Sequence, residues 1–298
     1  MCAALTFVGT ATLNRQRYTL HGVPHGIDLD GCDLPRYTEE ELGASNLYFA
    51  ELKGRRPFVL LRPLERTAHV RHLASIDTLR DTFGDTPVVL SSSNSFSHGK
   101  LPTTLRAYLD TVSRIYTGND DRSEALNSSA AAMLPATETF YLFGDSPLTA
   151  ITGPYPQPLD APHDDGLVVW GAGRDGSGVA FHTHGAAWGE VLIGAKRWYL
   201  AAPSAEAPRG WMASETHVAW VAREGLALPA DMLSCTCFPG EVIYVPPMWW
   251  HATLNLDGYN AFVSTFTQEH RGATRNSSAG SDSAESTPAV PYNPYYEL

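Results

Sequence analysis

His182 and His184, two residues apart in the run Phe181-His182-Thr183-His184, and His251 far downstream are the side chains whose types and spacing can hold a metal. In an extended chain, residues i and i+2 face the same side, so both imidazoles of the pair reach one point. His251 follows the apolar run Glu241-Val242-Ile243-Tyr244-Val245 and the pair Trp249-Trp250. Two ligands from one strand and one from a later strand make a facial set. Its opposite coordination positions stay open to substrate and oxygen, which is what a non-haem iron site requires. His-x-His alone is a weak signal in a chain with eleven histidines, so the surrounding elements must carry the argument.

The four cysteines, Cys2, Cys32, Cys235 and Cys237, contain no Cys-x-x-Cys, which argues against a zinc finger or a thioredoxin-type centre. Cys235 and Cys237 read as buried free thiols, or as one thiol with the other bridged to Cys32. The sequons at Asn127 and Asn276 carry glycans only if the chain enters the secretory route.

The elements that would position the histidines lie in the second half. From residue 138 to about 268, TFYLF, LVVWGAG, GVAFHTH, EVLIGAKRWYLAAP, EVIYVPP and AFVSTFT are short β-branched or aromatic runs broken by Gly, Pro and Asp. That spacing predicts a β-sandwich or barrel. The first half reads as mixed. Thr38-Glu39-Glu40-Glu41 has capping-box spacing and predicts a helix to about Ala50, and RPFVLLR (56–62) predicts a buried strand. Ser75 opens a short helix closed by Gly84, PVVLSSS follows as a strand, and 102–116 reads as a helix with Leu105, Leu109 and Val112 on one face. The polar stretch 117–130 reads as a loop. Residues 1–30 are expected to form an extension, 31–270 a single domain, and 271–298 a disordered tail. Most of the value of Trp188, Trp198, Trp249 and Trp250 is expected to be packing.

Composition narrows the partners. The chain has 298 residues, is 43% hydrophobic, and carries 21 Lys and Arg against 32 Asp and Glu, for a net charge of −11. With no basic run, nucleic acid and anionic membrane surfaces are poor partners. No stretch approaches the roughly 20 apolar residues of a membrane-spanning helix. The first ten residues lack a basic lead, so no secretory signal is read there.

In order, HTHGAAWGEVLIGAKRWYLAAP and PGEVIYVPPMWWHATLNL resemble the paired motifs of the JmjC and cupin superfamily. The motif windows cover about 40 residues, and the likeness runs from about Cys32 to Phe266. It implies a double-stranded β-helix, a jelly roll of about eight strands, with a helical preamble packed on one sheet. It implies an Fe(II)- and 2-oxoglutarate-dependent oxygenase that hydroxylates a protein substrate. His182 and His251 match the family's metal-binding histidines, and Lys196 the lysine that pairs with the distal carboxylate of 2-oxoglutarate. Tyr141 falls where some hydroxylases place a tyrosine donor to that carboxylate.

The chain also departs from the pattern. His184 replaces the usual carboxylate, Val179 a threonine and Gly189 an asparagine of active members. Metal-binding cupins offer a second reading of the same residues. Gly176, His182, His184 and Glu190, then Gly240, Pro246, His251 and Asn255, approach their two motifs, with Met248 in place of the inner glycine. Glu190 would then be a fourth ligand, for Mn, Fe or Zn. If 190–200 is one unbulged strand, Glu190 and Lys196 share a face and can form an ion pair instead. A third reading is a catalytically silent module that serves as a folding or signalling partner. Histone demethylation has no support in a chain without a reader domain or basic face. A lumenal branch of the family has a Cys at places similar to Cys32 and Cys235, implying a disulfide between them and a use for Asn127. The endoplasmic reticulum lumen is expected on that likeness, and the cytoplasm on the lack of a clear leader.

Overall fold

A computed structural model describes residues 18, 20, 23–24, 27–44, 46–93, 99–116, 139–144, 148–159, 161, 167–204, 206–208, 210–212, 215–225, 227–256 and 258–267. Asn127, Asn276 and the tail from 271 lie outside them.

The preamble begins with β1 (Arg36–Thr38) and α1 (Glu39–Ala44). The capping box is formed: Glu41 N donates to Thr38 Oγ1 at 3.2 Å and Thr38 N donates to Glu41 Oε2 at 2.7 Å. The helix expected to reach Ala50 stops at Ala44. Asn46 takes a left-handed φ of +52°, which a continuing helix cannot contain, and the chain resumes as a π-helical turn over Tyr48–Leu52. Next come β2 (Phe58–Leu61), α2 (Ala68–Leu73) and α3 (Ile76–Phe83), the last capped by Ser75 Oγ, which accepts from Thr78 N. Then follow β3 (Pro87–Ser92), β4 (Lys100–Thr104) and α4 (Leu105–Tyr116). The helix expected from 102 thus starts at Leu105. Pro102 and the β-branched pair Thr103-Thr104 extend an edge strand opposite β3, where a residue without an N–H is tolerated. Leu105, Leu109 and Val112 are buried on one face, as their spacing predicts.

The second half supplies β5 (Phe140–Phe143), α5 (Thr149–Thr152), β6 (Leu167–Gly173), β7 (Ala187–Ile193) and β8 (Lys196–Ala201). It continues with α6 (His217–Glu224), β9 (Met232–Cys237), β10 (Glu241–Val245), β11 (Trp250–Asn255) and β12 (Asn260–Phe266). They form a nine-stranded sheet, β1-β2-β10-β7-β12-β6-β5-β3-β4, and a three-stranded sheet, β11-β8-β9. The sheets face each other. Val59, Val191, Ile243 and Val245 of the large one share a buried cluster with Trp198, Leu200, Cys235 and Cys237 of the small one. Each strand alternates between this interior and an outer face. The outer face of the large sheet, with Trp170, Leu192 and Val263, packs on Leu79, Leu105 and Leu109 of the preamble. That of the small sheet, with Tyr199, Ala252 and Leu254, is covered by Trp220 and Val221 of α6 and by Leu20, Ile27 and Leu29 from the region read as an extension. The architecture is the all-β jelly roll with a helical preamble that the motifs imply.

Two local corrections bear on the site. The run 190–200 is not one strand. Gly194, at φ +84°, turns the chain between β7 and β8, and a Cβ there would stand 2.5 Å from Asn260 Oδ1. The run GVAFHTH is not a regular strand either. It lies antiparallel to β11 through Asn255 N to Ser177 O, Thr253 N to Val179 O, and one bridge at His182. Val179 N bonds the Thr253 hydroxyl rather than a backbone carbonyl, which interrupts the ladder.

Candidate metal centre

His182 and His251 form an isolated antiparallel bridge, each N–H donating to the other's carbonyl, at 3.1 and 3.0 Å. His184 follows two residues on, and its carbonyl accepts from Met248 N at 2.8 Å. Backbone ties to both ends of the turn before β11 therefore bring the three rings together. The centroids stand 4.1 Å apart for His182 and His251, 4.4 Å for His184 and His251, and 5.2 Å for His182 and His184. One ring nitrogen from each lies within 4.8 Å of the others.

The second nitrogen of each ring settles what the trio can do. Nδ1 of His182 lies 2.7 Å from the Ala180 carbonyl, Nδ1 of His184 2.7 Å from that of Gly185, and Nδ1 of His251 2.9 Å from that of Trp249. A carbonyl only accepts, so each Nδ1 carries the proton, and each neutral ring has its lone pair on Nε2. His251 Nε2 and His184 Nε2 stand 2.9 Å apart. Two lone pairs at that distance repel unless a cation lies between them. Fixing the far nitrogen by a backbone carbonyl is also how ligating imidazoles are oriented around a metal. Burial lowers the His182 pKa to about 4, and burial with its two neighbours holds His251 well below the usual range, so neither ring protonates near neutrality. A divalent metal fits this donor set.

Register places the other expected residues. In β11 the side chains of His251, Thr253 and Asn255 share the interior face, opposite Leu200, Trp198 and Lys196 of β8. Lys196 therefore lies four residues along the same face from His251, roughly 13 Å of strand. Its Nζ donates to Asn255 Oδ1 at 3.2 Å and sits 3.5 Å from the centre of the Phe262 ring. Burial lowers its pKa, to about 7. Asn255 Nδ2 in turn donates to Ser177 Oγ. Gly173 is the wall of this corner: a Cβ there would stand 2.7 Å from Asn255 Nδ2 and 3.3 Å from the Cβ of buried Tyr141.

Glu190 is elsewhere. A Cβ on Gly189 would meet the Trp198 indole at 2.7 Å, so Gly189 faces the interior and its neighbour Glu190 faces outward. There Glu190 Oε2 accepts from Arg62 Nη1 at 2.8 Å and from the Tyr155 hydroxyl at 2.7 Å. Among the described residues the converging donors are the three histidines alone, and Glu190 pairs with neither them nor Lys196. The Trp198 contact also explains why position 189 has no room for an asparagine. Cys32 and Cys235 are joined in a disulfide across the outer edge of β9, and Cys237 is a buried free thiol. Residues the sequence reading passed over include Phe266, whose ring packs edge-on to His184 at 5.2 Å, and Phe262. The period-two pattern of β12, with Phe262, Ser264 and Phe266 on one face, is the signal that places both inside.

Facing sheets with three convergent imidazoles at one end of a shared interior and a buried lysine toward the other define a cupin-type jelly roll of the oxygenase-like kind. No family model matches the chain. It is 35% identical over 246 residues to JmjC domain-containing protein 8 of Mus musculus, covering 80% of this chain and 84% of that protein. It is 34% identical to JmjC domain-containing protein 8 of Homo sapiens, over 74% of this chain and 81% of the relative. A shorter match, 30% identical over 104 residues and 29% of this chain, links it to the bifunctional arginine demethylase and lysyl-hydroxylase psr-1 of Caenorhabditis briggsae, of which it covers 26%. The chain belongs to the JmjC-domain family, in the series of JmjC domain-containing protein 8.

Proposed function

We propose that this chain is an Fe(II)- and 2-oxoglutarate-binding JmjC domain that hydroxylates a polypeptide. The observation that carries the reading is the locked tautomer of the trio, three Nδ1–H groups held by backbone carbonyls while the Nε2 atoms converge. His182, His184 and His251 would hold the iron, which when bound supplies oxygen activation. Lys196 would hold the distal carboxylate of 2-oxoglutarate. A buried ammonium whose partners among the described residues are an amide and an aromatic face is the environment that a dianion would complete. Tyr141 lines the same corner and would orient that carboxylate. His182 is the least covered of the three ligands, so the substrate would approach from its side. The relative named as an arginine demethylase and lysyl-hydroxylase supports a basic side chain on a polypeptide as the acceptor. The Cys32–Cys235 bridge supports work in an oxidising compartment such as the endoplasmic reticulum lumen.

Calorimetric titration tests the reading. The protein should take up one equivalent of Fe(II) or Co(II), and His182→Ala or His251→Ala should weaken it by roughly 100-fold, at the upper end of the cost of losing even an indirect ligand contact. 2-Oxoglutarate should bind the metal-loaded wild type and not Lys196→Met. Metal uptake unchanged in both histidine variants would remove the centre, and equal co-substrate binding by Lys196→Met would remove the anchor.

A further inference from the structure

At the trio's end of the barrel the large sheet closes in a row of apolar side chains. Register aligns Val245 of β10 with Ala187 of β7, Ala187 with Phe266 of β12, and Phe266 with Leu167 of β6. Residues paired in this way stand on one face of a sheet. Here that face is the interior, because Val245 belongs to the cluster between the sheets and the Phe266 ring packs on His184 at 5.2 Å. Cover thins along the row. Val245 and Ala187 are buried, Phe266 is half-buried, and Leu167 is 46% exposed. From Leu167, β6 runs to Gly173 at the Lys196 corner and the chain returns through 177–184, so His182, the least covered of the trio, comes back to the open end.

Met248 stands at the same end and conflicts with its own backbone. It takes the third position of the turn from Pro246 to Trp249, closed by Trp249 N to Pro246 O at 3.4 Å, with a φ of +62°. Glycine holds such a position at no cost, and a longer side chain is strained there. The Met248 N–H is bonded to the His184 carbonyl, yet the residue is 43% exposed. Packing does not explain a strained residue that shows an apolar side chain to water beside the three imidazoles. Such outliers gather where a ligand is held, and a flexible thioether suits apolar partners of varied shape.

Resting on the polypeptide-hydroxylase reading above, we propose that Leu167, Phe266 and Met248 seat an apolar side chain of the substrate polypeptide, next to the residue that reaches the metal. The site then selects a polypeptide with Leu, Met or Phe beside its acceptor.

To test this, the full chain loaded with Co(II) and 2-oxoglutarate is offered a degenerate peptide library without His or Cys, and the retained peptides are sequenced. In the wild type, Leu, Met or Phe beside a basic residue should be enriched roughly tenfold, the gain for burying part of one apolar side chain. Met248→Gly and Leu167→Asn should each lower that enrichment below about twofold, while Co(II) affinity stays within about twofold of wild type. Met248→Gly should also unfold at the same or higher denaturant, because glycine takes the left-handed φ without strain. Apolar enrichment without a basic neighbour supports the seat and removes the basic acceptor from the functional reading. Basic enrichment without an apolar neighbour, an apolar preference equal in wild type and either variant, or no retained peptide overturns the proposal and leaves the metal centre standing. A Met248→Gly midpoint below that of wild type also overturns it, since Met248 would then serve packing. Failure of the wild type to bind Co(II) overturns the metal reading and the proposal with it.

Discussion

His182 and His251 exchange both of their backbone hydrogen bonds, and that single bridge is what holds the first imidazole of the trio against the third. The contact depends on how closely 177–184 approaches β11, and Gly178 sets that distance. A Cβ on Gly178 would lie 1.9 Å from the Thr253 carbonyl oxygen, far inside any tolerable contact. Gly178→Ala must push the segment off β11. We expect a loss of about 1 to 3 kcal/mol in denaturant unfolding, the usual cost of overpacking, together with a fall in metal affinity as the trio spreads. An unchanged unfolding midpoint with unchanged metal uptake would show that the bridge does not position the ligands.

Lys196 predicts an alkaline effect. Its pKa in the fold is about 7, against 10.5 in the unfolded chain, because burial disfavours the ammonium. Between those values the unfolded chain binds more protons, so stability contributed by this group rises with pH across the window and is smallest below pH 7. Lys196→Met should be more stable than wild type at pH 7, by an amount on the order of a few kcal/mol, with the gap closing toward pH 10. Paired melts at pH 7 and pH 9.5 measure it, and a gap that widens with pH would contradict the assignment. Co-substrate binding should take up a proton near pH 7.5, visible as a buffer-dependent binding enthalpy.

His217 acts at the other end of the pH scale. It begins α6, stacks on Trp220 at 5.5 Å and meets Phe181 and Tyr199 edge-on, and neither ring nitrogen has a hydrogen-bond partner among the described residues. Burial lowers its pKa to about 3. The folded state thus holds His217 neutral while the unfolded chain protonates it below 6.5, so its contribution is whole above pH 6.5 and is lost progressively as pH falls toward 3. His217→Phe should flatten that part of the stability curve relative to wild type. Parallel slopes between pH 6.5 and 4 would show that protonation of His217 is not coupled to unfolding.

The sequence was most legible where local spacing is itself the mechanism. The two-residue spacing of His182 and His184 put their rings on one side, Thr38 and Glu41 announced their cap, and Leu105, Leu109 and Val112 announced the buried face of their helix. It was least legible where a contact between distant segments decides. Nothing local says that the chain reverses at Gly194. That reversal sends Lys196 into a different strand from Glu190 and ends the parity argument linking the two. Nor does the sequence show that Gly189 faces Trp198, which turns Glu190 outward to Arg62. The GVAFHTH run reads as a strand by composition, yet the Thr253 hydroxyl takes the N–H of Val179 and leaves one bridge instead of a ladder.

The disulfide offers a test of structural division of labour. Cys32 and Cys235 lie 203 residues apart in sequence, so their bond closes most of the domain into one loop, and removing such a link costs about 2 to 5 kcal/mol. The same neighbourhood has independent ties. Thr236 N donates to the Gly31 carbonyl at 3.0 Å, Asp33 N to that of Ser234 at 2.8 Å, and Ser234 N to Asp33 Oδ2 at 2.8 Å. These keep residues 31–33 against β9 when the sulfurs are apart, so Cys32→Ser with Cys235→Ser should fold and unfold at lower denaturant rather than fail to fold. The pair also lies away from the trio: Cys235 opposes Trp198 in β9, while His251 opposes Leu200 in β11, on the far side of β8. Metal affinity of the double variant should therefore stay within about twofold of wild type, a change of less than 0.5 kcal/mol. A loss of metal binding that accompanies a native-like unfolding transition would mean that the clasp at β9 shapes the centre across β8, and that the two ends of the small sheet do not act independently.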